Sequence, residues 1–112
     1  MTSIAKARIG LRSIAEDIFL SRKCVKPFLK STLNISVVDT KTSVISVEAI
    51  EDTTLDRHTH TFDESVELVQ GTCVDLVNNR ELSEGEKYNI EANSPHQIFL
   101  SKGSKVVVQL SS

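Results

Sequence analysis

The chain has 112 residues and a formal net charge of −2, with acidic and basic residues interspersed along it. This length fits a single domain, and the nearly balanced charge gives no indication of nucleic-acid binding. Apolar runs are too short to span a membrane and the N-terminus lacks the apolar block of a secretory signal, so we expect a cytoplasmic protein without nucleic-acid or membrane partners.

The first predicted element is an amphipathic helix over residues 3–22. Helical periodicity places one apolar stripe along it, formed by Ile4, Ala7, Leu11, Ile14, Ala15, Ile18 and Phe19. Gly10 weakens this helix by about 1 kcal/mol relative to alanine. We predict that residues 1–32 form an N-terminal helical segment that packs on the following domain or on a dimer partner.

From residue 33 onward the sequence changes to short runs rich in valine and isoleucine. Strands are predicted over residues 34–38, 43–50, 66–70, 72–77, 88–90, 97–101 and 105–110. Turn-forming residues separate these runs, for example at Glu84-Gly85 and Lys102-Gly103-Ser104. Many short strands at regular spacing indicate an all-β sandwich or barrel, here over residues 33–112.

All three histidines of the chain fall in one pattern with a carboxylate. His58 and His60 are two residues apart, Glu64 follows four residues later, and His96 comes after Asn93-Ser94-Pro95. Side chains two apart on an extended segment point to the same side, so His58 and His60 can reach one point. Glu64 joins them through a short turn, and His96 must arrive from a distant strand of a closed sheet. Because histidine is the commonest metal ligand, the pattern predicts a metal site.

These residues resemble the two sequence motifs of the cupin family. The first motif, His-x-His, three or four residues, Glu, six residues and Gly, is matched by His58, His60, Glu64 and Gly71. The second motif is similar to the run from Gly85 to His96, which ends in Ile-Glu-Ala-Asn-Ser-Pro-His where the family has Ile-Pro-Ala-Gly-x-Pro-His. The resemblance implies a cupin-type double-stranded β-helix, or jelly-roll barrel, with the N-terminal α-helix added to it.

The sequence departs from both motifs at positions that bind no metal. Glu91 and Asn93 replace the proline and glycine of the second motif, Asp52 replaces the glycine that opens the first, and Leu100 replaces an asparagine after the last histidine. Asparagine tolerates the left-handed backbone that a turn requires. The departures therefore affect loop geometry, and the resemblance still implies His58, His60, Glu64 and His96 as metal ligands.

Strand alternation orients the side chains around this site. With Glu64 facing inward, Val66 and Leu68 share its side, and Ile98 and Leu100 share the side of His96. Tyr88 is the additional polar group that leads toward the second motif, either as a catalytic candidate or as part of the barrel wall. We predict a substrate-binding pocket whose walls are Val66, Leu68, Tyr88, Ile98 and Leu100.

The histidines, the carboxylate and the cysteines of the chain also have interpretations that involve no metal. A histidine alone is often exposed on an edge strand or hydrogen-bonded in a core, and a carboxylate alone is often solvated. Cys24 and Cys73 have no CxxC spacing, so we expect reduced, partly buried thiols.

The identity of the metal and the function stay open at this level. Three imidazoles and one carboxylate suit one divalent iron, manganese, nickel, zinc or cobalt ion. The resemblance implies a small metal-dependent enzyme, of the oxygenase, isomerase or lyase type, acting on a small oxygen-bearing substrate. The alternatives are a non-catalytic module that binds or senses a small ligand such as a sugar, and a structural homodimer stabilised by the metal.

Overall fold

The computed structural model describes residues 26–111 of the chain, which form two antiparallel sheets. A short 3-10 helix at Lys26–Phe28 precedes the strands β1 (Leu33–Asp39), β2 (Val44–Ala49), β3 (Thr53–Thr54), β4 (Asp63–Gln70), β5 (Cys73–Asp75), β6 (Arg80–Leu82), β7 (Lys87–Ile90), β8 (Ile98–Leu100) and β9 (Lys105–Ser111). The first sheet has the order β1-β2-β9-β4-β7, and the second has the order β3-β8-β5-β6. Strands far apart in sequence are therefore neighbours in both sheets.

The prediction of an all-β fold is confirmed. Every predicted strand overlaps an observed one, whereas β3 and β6 were not predicted, and β4 begins at Asp63 instead of residue 66. The first residues of β4 are polar, and their strand structure comes from pairing with β9, in which Asp63 lies opposite Ser111. Within residues 26–111, no helix is long and apolar enough to cross a lipid bilayer.

The predicted N-terminal helix over residues 3–22 lies outside the described residues, and so does Cys24. The division of the chain into a segment 1–32 and a barrel 33–112 therefore stays a prediction. Within the described part, the first strand begins at Leu33.

The core lies between the inward faces of the two sheets. In β4 the side chains alternate as predicted, with Glu64, Val66 and Leu68 buried and Ser65 and Glu67 partly exposed. The apolar core is completed by Phe28, Leu33, Ile35, Ile45, Val47, Ala49, Leu55, Cys73, Leu82, Ile90, Ile98, Leu100, Val106, Val108 and Leu110. Glu64 is thus placed at one end of an apolar face, where a carboxylate requires polar partners.

Gly71, which ends the first motif, is required by a close backbone approach. Its φ is +91°, and a Cβ atom at this position would lie 2.3 Å from Oγ of Ser104 and 2.7 Å from its Cα. Ser104 is buried there, and its Oγ accepts a hydrogen bond from the backbone N–H of Thr72 at 2.8 Å. Asn93, with a φ of 64°, adopts the left-handed conformation that asparagine tolerates in a turn.

Candidate metal centre

Backbone pairing joins the two segments that carry the histidines. His58 and His96 form an isolated antiparallel bridge, in which each N–H donates to the other's carbonyl oxygen at 3.1 Å. The N–H of Asn93 also donates to the carbonyl oxygen of His60 at 2.7 Å. His58 and His60 lie in an extended segment before β4, and Glu64 lies within β4. The distant segment that sequence reasoning required for His96 is the one that precedes β8.

All four predicted metal ligands lie together. One ligand atom from each of His58, His60, Glu64 and His96 can be chosen so that these atoms lie within 4.8 Å of one another. Nε2 of His60 lies 2.8 Å from Oε1 of Glu64, and Nε2 of His96 lies 3.8 Å from the same oxygen. The three imidazoles and the carboxylate therefore converge on one point, and metal binding at that point stays a prediction.

The backbone orients every imidazole in the same way. Nδ1 lies 2.6 Å from the carbonyl oxygen of Asp56 in His58 and 2.7 Å from that of Phe62 in His60. In His96, Nδ1 lies 3.0 Å from the carbonyl oxygen of Ser94. A carbonyl oxygen only accepts hydrogen bonds, so Nδ1 carries the proton in the neutral ring, and the lone pair is on Nε2. This is the arrangement by which metal-binding histidines are held by a hydrogen bond on the other ring nitrogen.

Two buried polar atoms in the cluster lack a hydrogen-bond partner among the described residues. They are Oε2 of Glu64 and Nε2 of His96, and their residues are 2% and 0% exposed. Buried polar atoms are nearly always paired, so each such atom requires an explanation. A divalent transition ion would satisfy both, and a donor set of three nitrogens and one carboxylate oxygen suits such an ion. The residues present thus fit the metal that the resemblance implies.

The electrostatic environment differs between the histidines. The hydrogen bond with Glu64 is the main cause that raises the pKa of His60 above its ordinary value. Burial is the main cause that lowers the pKa of His58. His60 is therefore the histidine that most readily shares a proton with Glu64, and a metal must displace that proton because it binds neutral imidazole.

His58 is the most exposed residue of the cluster. His58 is half-buried, whereas His60, Glu64 and His96 are buried. The ring of Phe62 stacks on that of His60, with centroids 4.3 Å apart and an angle of 7° between the planes. Phe62 is itself partly exposed, so an aromatic face borders the cluster on the side of His60.

The predicted pocket walls lie mostly in the core. Val66, Leu68, Ile98 and Leu100 are buried, and they form the apolar layer beneath the cluster. A surface pocket of about 370 Å³ lies between β4 and β7 and includes none of the predicted wall residues; its lining is Asp63, Glu64, Ser65, Asn89, Ile90 and Glu91. Contact of a substrate with the predicted walls stays a prediction.

Tyr88 is half-buried, and its hydroxyl is engaged within the protein. It donates a hydrogen bond to Oδ2 of Asp75 at 2.8 Å. Burial is the main cause that raises the pKa of Tyr88 to about 12, and the hydrogen bond to Asp75 contributes in the same direction. At neutral pH this hydroxyl is a neutral donor, and a catalytic role for Tyr88 stays a prediction.

Sequence reasoning missed Asp75, the fully buried carboxylate at the end of β5. Oδ1 accepts hydrogen bonds from the backbone N–H groups of Val77, Asn78 and Gln97, and Oδ2 accepts from the side chains of Asn78 and Tyr88. Burial acts to raise the pKa of Asp75, but these hydrogen bonds outweigh it and lower the pKa. The available signal was a carboxylate two residues after Cys73, and therefore on the inward side of a predicted strand.

Cys73 is a buried free thiol within the described part of the chain. Burial is the main cause that raises its pKa to about 12, and the charges of Asp75 and Glu64 act in the same direction. Since the thiolate is the reactive form, Cys73 is an unreactive packing residue at neutral pH.

No protein-family model matches this sequence. A comparison with the curated proteins also finds no match. Solved structures do match the fold. KdgF from Halomonas sp. is similar with a TM-score of 0.65 and 19% identity, over 73% of this chain and 82% of that protein.

Two further solved structures are similar to this chain, a cupin and a polyketide cyclase. An RmlC-like cupin from Shewanella frigidimarina has a TM-score of 0.63 and 13% identity, over 71% of this chain and 76% of that one. The polyketide cyclase RemF from Streptomyces resistomycificus has a TM-score of 0.56 and 17% identity, over 72% and 66% of the two chains. With its two antiparallel sheets and these likenesses, the chain has the fold of the cupin superfamily.

Proposed function

We propose that this chain binds one divalent transition metal and acts with it as a small metal-dependent enzyme on an oxygen-bearing substrate. The ligands in this proposal are Nε2 of His58, His60 and His96 and the carboxylate of Glu64. The observation that carries it is the combination of uniform ring orientation and two unpaired buried atoms, Glu64 Oε2 and His96 Nε2. A bound ion requires imidazole nitrogens that are oriented by a hydrogen bond on the other ring nitrogen, and it requires ligand atoms without another partner.

Four protein ligands would hold the ion and leave room on it for other molecules. The metal, when bound, supplies Lewis acidity to a coordinating substrate oxygen. The partly exposed side at His58 supplies the route by which a small molecule reaches the cluster, and the ring of Phe62 shields His60 from water. A small substrate with two neighbouring oxygens suits this arrangement.

Glu64 is the proton acceptor in this proposal. Oε1 lies 2.8 Å from Nε2 of His60, and Oε2 has no hydrogen-bond partner among the described residues. With Oε2 and the Nε2 lone pair of His60 both bound to the metal, Oε1 would be the oxygen left to receive a proton from the substrate. The likeness to a polyketide cyclase supports an enzyme only at the level of the fold, because one fold hosts many activities.

A second candidate function is a non-catalytic module that binds or senses a small ligand. It is favoured by the protonation state of Tyr88 and Cys73. Tyr88 and Cys73 both have a pKa raised to about 12, and Tyr88 is already bonded to Asp75. Both groups are therefore protonated at neutral pH and are poor proton acceptors, so Glu64 is the remaining candidate for that role.

The test begins with the metal content of protein purified without an affinity tag or chelator, measured by elemental mass spectrometry. We expect about one equivalent of a transition metal per chain. The metal-loaded protein is then screened for turnover of small hydroxy- and oxo-substrates, with the metal-free protein as the control. Ligand binding without turnover would favour the second candidate, and no metal uptake from any of the five ions would overturn the metal site itself.

A further inference from the structure

A hydrogen-bond network around Asp75 holds the segment that carries His96. Oδ1 of Asp75 accepts from the backbone N–H of Gln97 at 3.2 Å. Nδ2 of Asn78 donates to Oδ2 of Asp75 at 2.6 Å and lies 3.4 Å from the carbonyl oxygen of Pro95. The residues immediately before and after His96 are therefore both tied to this network.

The carboxylate at the centre of the network is itself held from several directions. The backbone N–H groups of Val77 and Asn78 donate to Oδ1 at 3.1 and 3.4 Å, and the hydroxyl of Tyr88 donates to Oδ2 at 2.8 Å. Asp75 is fully buried, so these bonds are not exchanged with water. β5, β7 and the segment before β8 thus meet at one fixed anion.

The position of this segment determines where the imidazole of His96 points. Its Nδ1 is held by the carbonyl oxygen of Ser94, which belongs to the same segment, so the ring and its acceptor move together. The backbone of His96 itself pairs with His58 through the bridge at 3.1 Å, and the carbonyl oxygen of Gln97 accepts from the N–H of Leu76 at 2.7 Å. Loss of the contacts at Pro95 and at the N–H of Gln97 would remove two of the restraints on this segment, and Nε2 of His96 would be less firmly fixed relative to Glu64.

We infer that Asp75 is a positioning residue for the metal centre, which acts through Asn78 and the backbone of Gln97 to hold His96 in its binding orientation. Asp75 does not join the cluster of ligands, and it acts at a distance from the metal. The inference rests on the proposed function, because it concerns the affinity of the same four ligands. Groups that orient a metal ligand typically change affinity by about 10- to 100-fold when they are removed.

The experiment measures the affinity of metal-free protein for cobalt(II), by visible absorption and competition with a chelator of known affinity. Asp75→Asn replaces one of the two acceptor oxygens by an NH2 group, which accepts no hydrogen bond, so the donors to either Oδ1 or Oδ2 lose their acceptor. We expect cobalt(II) binding to weaken at least about tenfold. Asn78→Ala, at an exposed position, removes the contact to Pro95 and should weaken binding less, and it serves as the test if Asp75→Asn does not fold.

A stability control separates positioning from general destabilisation. Ile35→Ala removes core volume in β1, the edge strand that β2 and β9 separate from β4, the strand of Glu64. It should lower the melting temperature while leaving cobalt(II) affinity unchanged within about twofold. Equal affinity of wild type, Asp75→Asn and Asn78→Ala would overturn the inference while leaving the proposed metal site intact.

A second readout needs no metal. In metal-free protein, hydrogen exchange of the His58 and His96 backbone N–H groups, which pair across the bridge, reports how firmly the His96 segment is held. Asp75→Asn should speed this exchange more than Ile35→Ala does. If the wild type binds no cobalt(II), the proposed function fails. The positioning of His96 is then decided by the exchange rates, and equal protection of both N–H groups in Asp75→Asn and Ile35→Ala would overturn it.

Discussion

His58 and His96 pair through their backbones and face each other through their rings. Each N–H donates to the other's carbonyl oxygen at 3.1 Å, and the ring centroids are 4.2 Å apart with an angle of 66° between the planes. One contact thus joins the two sequence motifs and sets the separation of two ligands. Assembly of the site is therefore part of folding of the sheets.

Replacement of a ligand histidine should remove metal binding without unfolding the barrel. We expect His58→Ala and His96→Ala each to lose most of the bound metal, because each removes one of four donors that converge on one point. The measurement is metal content by elemental mass spectrometry, with circular dichroism as the check on folding. Gln97→Ala is the neighbouring control, since it keeps the backbone N–H that Asp75 binds. Equal metal content in all three variants would contradict the site.

Metal should stabilise the folded chain by an amount that its affinity sets. At free metal of 100 times Kd, binding to the native state alone contributes about 2.7 kcal/mol. We expect a corresponding rise in the midpoint of urea unfolding, reversed by a chelator. Glu64→Gln should show much less of this rise, because it removes the only carboxylate in the cluster. A rise of the same size in Glu64→Gln would place the metal elsewhere.

Gly71→Ala should destabilise the protein more than the same change at other turn glycines. Gly71 and Gly85 share a positive φ, at 91° and 88°, so alanine strains the backbone at both by about 1–2 kcal/mol. A Cβ at residue 71 would also overlap Ser104, whereas one at residue 85 would meet nothing within 4 Å. Urea unfolding of both variants isolates the contact with Ser104. Equal losses would mean that the backbone moves to relieve it.

The stabilising effect of Asp75 should depend on pH. Its pKa is lower in the folded chain than in the unfolded chain, where a carboxyl titrates near 3.9. Its contribution is therefore present above about pH 4 and is lost as the pH falls through the lower folded value. We expect the difference in unfolding free energy between wild type and Asp75→Asn to be largest at neutral pH and to shrink as the pH falls below about 4. A difference independent of pH would show that the charge is not what stabilises this site.

The local part of the candidate site could be predicted from the sequence. His58, His60 and Glu64 are close in sequence, and alternation alone placed Glu64, Val66 and Leu68 on one buried side of β4. The motif resemblance then brought in His96. These inferences succeed because side-chain direction in a strand depends only on the parity of the position.

The remaining features depend on contacts between distant residues. β3 has two residues and β6 has three, so neither carries a periodic pattern, and both exist because a neighbouring strand pairs with them. The partners of Asp75 come from β7 and from the segment before β8, and no spacing in the sequence indicates them. Four of the five predicted walls, Val66, Leu68, Ile98 and Leu100, are buried in the core between the two sheets, which strand alternation does not reveal.

The contact of each histidine Nδ1 with a carbonyl oxygen two residues away has a consequence for the choice of ion. The three rings are aimed by the folded backbone before any ion arrives. A metal site whose ligand positions are fixed in advance adjusts little to the ion that binds. The preferred coordination geometry of each ion therefore affects its affinity for the site, in addition to its intrinsic affinity for these ligands. Copper(II) leads the Irving–Williams series but prefers a square-planar arrangement. Its advantage in affinity over ions that accept an octahedral shell should therefore be smaller at this site than the series predicts.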